Sequence, residues 1–142
     1  ASKNYLSKLQ SVISKAENLG AKVRLLGKVP NDKLHLELKK YDLFIFASSI
    51  ENLPITLLEA MSAGLPIASS SSGPMPEILK NFATYFDPNS AMSIKEAIDL
   101  YINESSLIEK HSKKMLDISS NYTWSSCVRK TEAFLEDVWN NL

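Results

Sequence analysis

Between Lys40 and Lys80 the sequence holds no lysine and no arginine, although the chain carries 16 basic and 16 acidic residues in all. An anion bound by this segment must be held by backbone amides or by cations from elsewhere in the chain. Cysteine is nearly absent. Cys127 is alone, so no internal disulfide can form, which fits a reducing compartment and a buried thiol. The two histidines, His35 and His111, stand at no metal spacing from other ligand types. Both are read as surface residues, and no metal is expected. No apolar run approaches the roughly 18 residues of a membrane span. The net charge of zero leaves no footprint for nucleic acid. No secretory signal is recognised in the chain as it stands. Asn103-Glu-Ser and Asn121-Tyr-Thr are therefore read as chance glycosylation sequons, and a cytoplasmic setting is expected.

What the chain does hold is an alternation of strand and helix patterns. Leu6, Leu9, Val12, Ile13 and Ala16 recur at helical spacing over Ser2–Asn18, with Gly20 as the stop. Lys22–Leu26 reads as a short strand, left through the loop Gly27–Pro30. Asn31 can cap a helix over Asp32–Lys40. Leu43–Phe46 is apolar on consecutive residues, as a strand covered on both faces is. A helix over Pro54–Ala63 follows, with Pro54 where a missing N–H costs nothing and Ile55, Leu58 and Met61 on one stripe. Ile67 marks a third strand, Pro76–Leu79 a short helix, and Thr84–Phe86 a last strand. Asp87–Ser90 is turn and cap chemistry. Helices are expected over Ala91–Ile102, Ser105–Ser119 and Trp124–Leu142, with Thr123 capping the last and Trp124 and Trp139 as packing anchors. The pattern predicts one domain over residues 1–142. It is an α/β, Rossmann-like parallel sheet with flanking helices and a helical C-terminal end.

The informative stretch is Tyr41–Leu79. In strand–loop–helix units of this kind, ligands bind beyond the carboxyl ends of the strands, beside the helix N-termini. Glu51 stands in the first such loop, and Glu59 lies one to two turns into the helix after it. A diphosphate at that helix mouth would meet free N–H groups and a partial positive charge. Glu59 could then accept from a ribose diol, and Glu51 could meet a sugar on the far phosphate. The plain alternative makes Glu51 a loop acid that favours the helix N-terminus, and Glu59 a solvated surface residue. Spacing alone weighs the two about evenly. Ser69–Ser72 with Gly73 is either a second anion-cradling turn or a flexible connection. Glu77 could close a helix cap or approach the same ligand.

Several segments together resemble the large family 4, or group 1, of two-domain GT-B glycosyltransferases. These are the two acids Glu51 and Glu59 with seven residues between them, Met61-Ser-Ala-Gly64-Leu-Pro66, and Gly73-Pro-Met-Pro-Glu77. Leu26-Gly27-Lys28-Val29 and Tyr122-Thr-Trp124 match the family upstream and downstream. The resemblance implies sugar transfer from a nucleotide diphosphate sugar, with retention at the anomeric carbon. Glu51 would contact the donor sugar near the reacting centre, as the catalytic residue. Asn52, Leu53, Ile55 and Thr56 would offer backbone donors to the phosphates. Glu59 would bind the ribose, Gly27 and Val29 would lie near the base, and Gly73 and Glu77 would complete the donor site. No cofactor is implied beyond the donor substrate.

Two departures qualify the match. The family has an aromatic residue and a glycine after the first Glu, where this chain has Asn52-Leu53-Pro54, and Pro54 has no N–H to give. The family's donor half also begins with two further strands that carry its phosphate-binding cations. Its acceptor, a sugar or lipid-linked sugar, binds an N-terminal half. The chain is therefore expected to be part of a GT-B C-terminal domain, with its first strands missing. The complete enzyme would make glycan or polysaccharide, bind no nucleic acid, and work in the cytoplasm or at the inner face of the membrane as a peripheral protein. Two other functions fit the same residues: a non-catalytic nucleotide-binding or interaction module, and a nucleotide-sugar epimerase of the related two-domain type.

Overall fold

The computed structural model describes residues 3–141. Ser2 and Leu142, at the outer ends of two expected helices, lie outside the described residues. The chain forms two compact units, Ala1–Pro30 and Asn31–Leu142.

The first unit is built on helix α1, Lys3–Asn18. Leu9, Ile13 and Ala16 are its half-buried stripe, while Leu6 and Val12 are exposed. Its end is closed as expected. The Gly20 N–H donates to the Glu17 carbonyl at 2.9 Å, and the Ala21 N–H donates to the Ala16 carbonyl at 3.1 Å. This pair of bonds satisfies carbonyls that the helix itself leaves open. Lys22–Leu26 forms no strand, contrary to the sequence expectation. An apolar extended segment becomes a strand only with a ladder partner, and it has none among the described residues.

The second unit opens with α2, Asn31–Leu38. Asn31 is its first residue rather than a preceding cap, and Lys39 and Lys40 leave it in a turn. The sheet follows: β1 Phe44–Phe46, β2 Ile67–Ser70 and β3 Thr84–Phe86, all parallel in the order β1-β2-β3. The register pairs Phe44 with Ile67, Phe46 with Ser69, and Ser70 with Phe86. β2 is central, and all four of its residues are buried. Side chains alternate across a strand, so β2 feeds two cores. Ile67 joins Leu57, Ala60 and Met61 of α3 (Ile55–Ser62), Met75 and Leu79 of α4 (Met75–Leu79), and Met115 of α6 (Ser105–Ser119). Ala68 joins Phe86 and the α5 residues Ala97 and Tyr101 on the other face, α5 being Ala91–Asn103.

The buried stripe of α3 is thus Leu57, Ala60 and Met61. Ile55 is exposed and Leu58 half-buried, so the stripe read from the sequence was off by part of a turn. β1 also departs from expectation. It is an edge strand, and Ile45 is 46% exposed because α5 lies over β3 and β2 and leaves this face of β1 open. Gly64 ends α3 with φ +77°, and a Cβ there would come within 3.3 Å of the Leu116 side chain on α6. Its left-handed backbone and the close approach of α6 both call for glycine.

The caps expected at Asp87–Ser90 and at Thr123 form, unlike the one expected at Asn31. The Ser90 hydroxyl accepts from the Ser93 N–H at the start of α5, and the Asn89 N–H donates to the Asp87 carboxylate at 2.9 Å in the turn before it. Thr123 accepts from the Ser126 N–H at 3.1 Å and opens α7, Trp124–Asn140. α7 buries no residue in the described structure. Trp124 is 86% and Trp139 79% exposed, so neither anchors packing here, and Cys127 is exposed rather than buried.

Candidate functional site

The site is built at the carboxyl ends of β1 and β2. α3 begins at Ile55, one residue later than the sequence suggested, and Pro54 is its N-cap rather than its first residue. The buried Pro54 has an extended backbone, φ −76° and ψ 92°. Its carbonyl accepts from the Leu57 N–H at 3.0 Å and the Leu58 N–H at 3.3 Å. The N–H groups of Ile55 and Thr56, both on exposed residues, have no partner among the described residues. The helix mouth thus keeps two open donors in spite of its proline. Together with the aligned peptide dipoles they make it weakly electropositive.

Glu51 is half-buried in the β1–α3 loop, and Asn52 and Leu53 beside it are exposed. The β2–α4 connection passes directly over Glu51. Gly73 has φ +56°, and a Cβ there would stand 3.6 Å from the Glu51 carbonyl oxygen and 4.0 Å from its nitrogen. Glycine serves the left-handed backbone and keeps this junction thin. The serine run before it is no loose connection over its whole length. Ser69 and Ser70 belong to β2 and are fully buried. The Ser70 hydroxyl donates to the Ser48 carbonyl at 2.5 Å.

Glu59 is half-buried and opens into a cavity of about 640 Å³. Leu53 and Ile55 line the same cavity, together with Tyr122 before α7 and Trp124 and Lys130 on it. Lys130 is a cation that sequence spacing did not reveal, because it stands far downstream of α3 and meets Glu59 only at this shared cavity. Glu77 is exposed on α4, whose N-terminus has no side-chain cap, so the capping role considered for it is not observed. Gly27, exposed, and Val29, half-buried, belong to the first unit. The structure therefore gathers Glu51 with Gly73, and Leu53 and Ile55 with Glu59, on either side of the α3 mouth. Among the described residues no group of three His, Cys, Asp or Glu side chains could hold a metal ion.

His111 is buried at 4% exposure, against the surface position expected of it, and lies in the core away from this mouth. Its Nδ1 is 2.7 Å from the Tyr101 hydroxyl, which donates to the Ile67 carbonyl at 3.0 Å. Burial pushes the Tyr101 phenol up to about 12. Burial, and then the nearby Lys110 charge, hold His111 below its ordinary value.

Residues 2–117 match the family model of glycosyl transferases group 1. The chain belongs to the group 1 glycosyltransferases. It is 28% identical over 109 residues to O-antigen chain mannosyltransferase B of Escherichia coli, which covers 77% of this chain and 29% of that relative. The crystal structure of the C-terminal domain of a group 1 family protein from Francisella tularensis superposes with a TM-score of 0.73 at 20% identity, over 86% of this chain and 65% of that one. HepE of Anabaena, solved in complex with UDP and glucose, superposes at 0.80 with 17% identity, over 99% of this chain and 37% of that one. The fold is that of the GT-B C-terminal region. The chain spans less than a third of the length of its mannosyltransferase relative.

Proposed function

We propose that the complete protein transfers a sugar from a nucleotide diphosphate sugar to an acceptor in glycan or polysaccharide assembly, with retention at the anomeric carbon. The observation that carries this is the α3 mouth, where the unpaired Ile55 and Thr56 N–H groups lie between Glu51 and Glu59. In this reading the two N–H groups, with backbone from Asn52 and Leu53, hold the diphosphate. They stabilise the negative charge that grows on the departing phosphate oxygen as the glycosidic bond breaks. Glu51 contacts the sugar at its reacting end. Glu59 accepts from the ribose hydroxyls, and Lys130 adds positive charge to the same cavity. Gly73 and Glu77 border the sugar.

The acceptor is a sugar or lipid-linked sugar held by a further domain of the complete protein. The setting is the cytoplasm, either free in solution or peripherally at the inner membrane face. Among the described residues no helix is long and apolar enough to cross a membrane. No cofactor is needed beyond the donor substrate, and turnover is expected to survive a chelator.

The test is turnover of a panel of nucleotide diphosphate sugars, UDP-glucose among them, by the complete protein. Product stereochemistry is then read by NMR. Release of nucleoside diphosphate with a retained anomeric configuration is expected. An interconverted donor sugar without acceptor would make the protein an epimerase. Donor binding without any turnover would leave a binding module.

A further inference from the structure

β2 ends in two hydroxyls, Ser69 and Ser70, neither with any solvent exposure. A hydroxyl at such a place must find a partner inside the protein. Ser69 finds one locally, donating to the Ser70 carbonyl at 3.2 Å. Ser70 reaches across the sheet to the Ser48 carbonyl. The ladder between β1 and β2 has its last paired residues at Phe46 and Ser69. Ser48 lies beyond that end, and the Ser70 hydroxyl supplies a bond across the gap that the backbone ladder no longer spans. Among the described residues it is the one hydrogen bond that ties residues 48–53 to another element.

The other side of the same stretch is also fixed. The Ser71 N–H, just past the end of β2, donates to the carbonyl of Phe86, the last residue of β3, at 3.0 Å. The Ser48 hydroxyl donates to the Ile50 carbonyl at 3.4 Å and holds the turn that leads to Glu51. Gly73 then packs against the Glu51 backbone. The rim of the sheet is thus tied from β3 through Ser71 and Ser70 to Ser48, and the β2–α4 connection sets the height of Glu51 at two points.

We propose that Ser70 is a positioning residue for the transfer reaction. Its hydroxyl, acting through the Ser48 carbonyl, holds the β1–α3 loop where Glu51 meets the donor sugar. This rests on Glu51 facing that sugar. A loop tied to its neighbours by so few bonds opens locally once one is removed. Misplacing a reacting group by about 1 Å costs on the order of a hundredfold in rate.

The experiment compares Ser70→Ala and Ser70→Thr with the unsubstituted complete protein by amide hydrogen exchange, thermal melting and donor kinetics. Ser70→Ala is expected to speed exchange over residues 48–53 and to lower kcat by about tenfold to a hundredfold. The KM for donor and the melting temperature should change little. Ser70→Thr keeps the donor on a β-branched side chain that suits a strand, and should restore most of kcat. Unchanged exchange in Ser70→Ala overturns the proposal whatever the activity does. Faster exchange with unchanged kcat overturns the link to Glu51. Loss of melting temperature with parallel losses in kcat and KM makes Ser70 merely structural. Absence of turnover in the unsubstituted protein instead removes the transferase reading itself, and the positioning role with it, even where exchange shows the tie between the loops.

Discussion

At the scale of single residues, the two acids of the site have separable tasks. Glu59 opens into the cavity away from the reacting end, so it should govern affinity. Glu59→Ala is expected to weaken nucleoside diphosphate binding by about 1.5–3 kcal/mol, the range for hydrogen bonds to charged groups. Calorimetry on the complete protein measures this, and unchanged affinity would remove the ribose assignment. Glu51→Gln should lower kcat more than it weakens binding, and the reverse order would deny Glu51 its place at the sugar. His111 makes a different prediction. Its folded pKa lies below the ordinary 6.5. In the unfolded chain the ring takes up a proton as the pH falls through 6.5, while in the folded protein it resists. The stability it contributes is therefore full above that pH and is lost as the pH falls from there towards the folded value. The groups that face it are Tyr101 and Phe82, with Lys110 on its own helix and Lys114 over the Phe82 ring. No carboxylate among these offsets the penalty. His111→Gln should flatten the melting temperature between pH 7 and pH 5, and an unchanged slope would assign the pH dependence elsewhere.

At the scale of elements, local chemistry was legible and tertiary placement was not. The Asp87–Ser90 turn, the Thr123 cap and the Gly20 stop could be read from the sequence because each depends on residues within one turn of chain. Thr123→Ala should cost about 1 kcal/mol of stability, measured by denaturant unfolding, because the Ser126 N–H would lose its acceptor. A change close to zero would mean that α7 frays without consequence for the fold. Readings that depended on distant chain failed. His111 looked like a surface residue because Tyr101, its partner, stands on another helix. Lys130 joins the Glu59 cavity only through the turn between α6 and α7. Ser70 looked like loop because serine is a poor guide to strand, and its reason for being there is a carbonyl 22 residues away. Lys22–Leu26 has the pattern of a strand but no neighbouring strand to pair with, and Leu43–Phe46 forms its strand without the two-sided cover its apolar run suggests, because pattern does not state what lies beside it.

At the scale of the whole molecule, two surfaces of the second unit lack cover among the described residues. β1 has a partner on one side only, so its other backbone edge is open, and Ile45 shows its apolar side chain beside it. An open edge with apolar side chains is a template for pairing with another chain. α7 adds Trp124, Val128, Leu135 and Trp139, all exposed along a helix that buries nothing. Isolated apolar residues on a surface need no explanation, but an edge and a helix face of this kind together go beyond that. Net charge does not offset the attraction, because it is zero. The relatives are more than twice as long as this chain, and the further domain proposed above would have the means to cover both surfaces. Residues 1–142 expressed alone should therefore associate reversibly as concentration rises and bind a dye specific for apolar surface. The complete protein should do neither. Sedimentation velocity across a concentration series decides it. A single monomeric boundary for residues 1–142 at every concentration would mean that the β1 edge and the α7 face are stable in water as they stand.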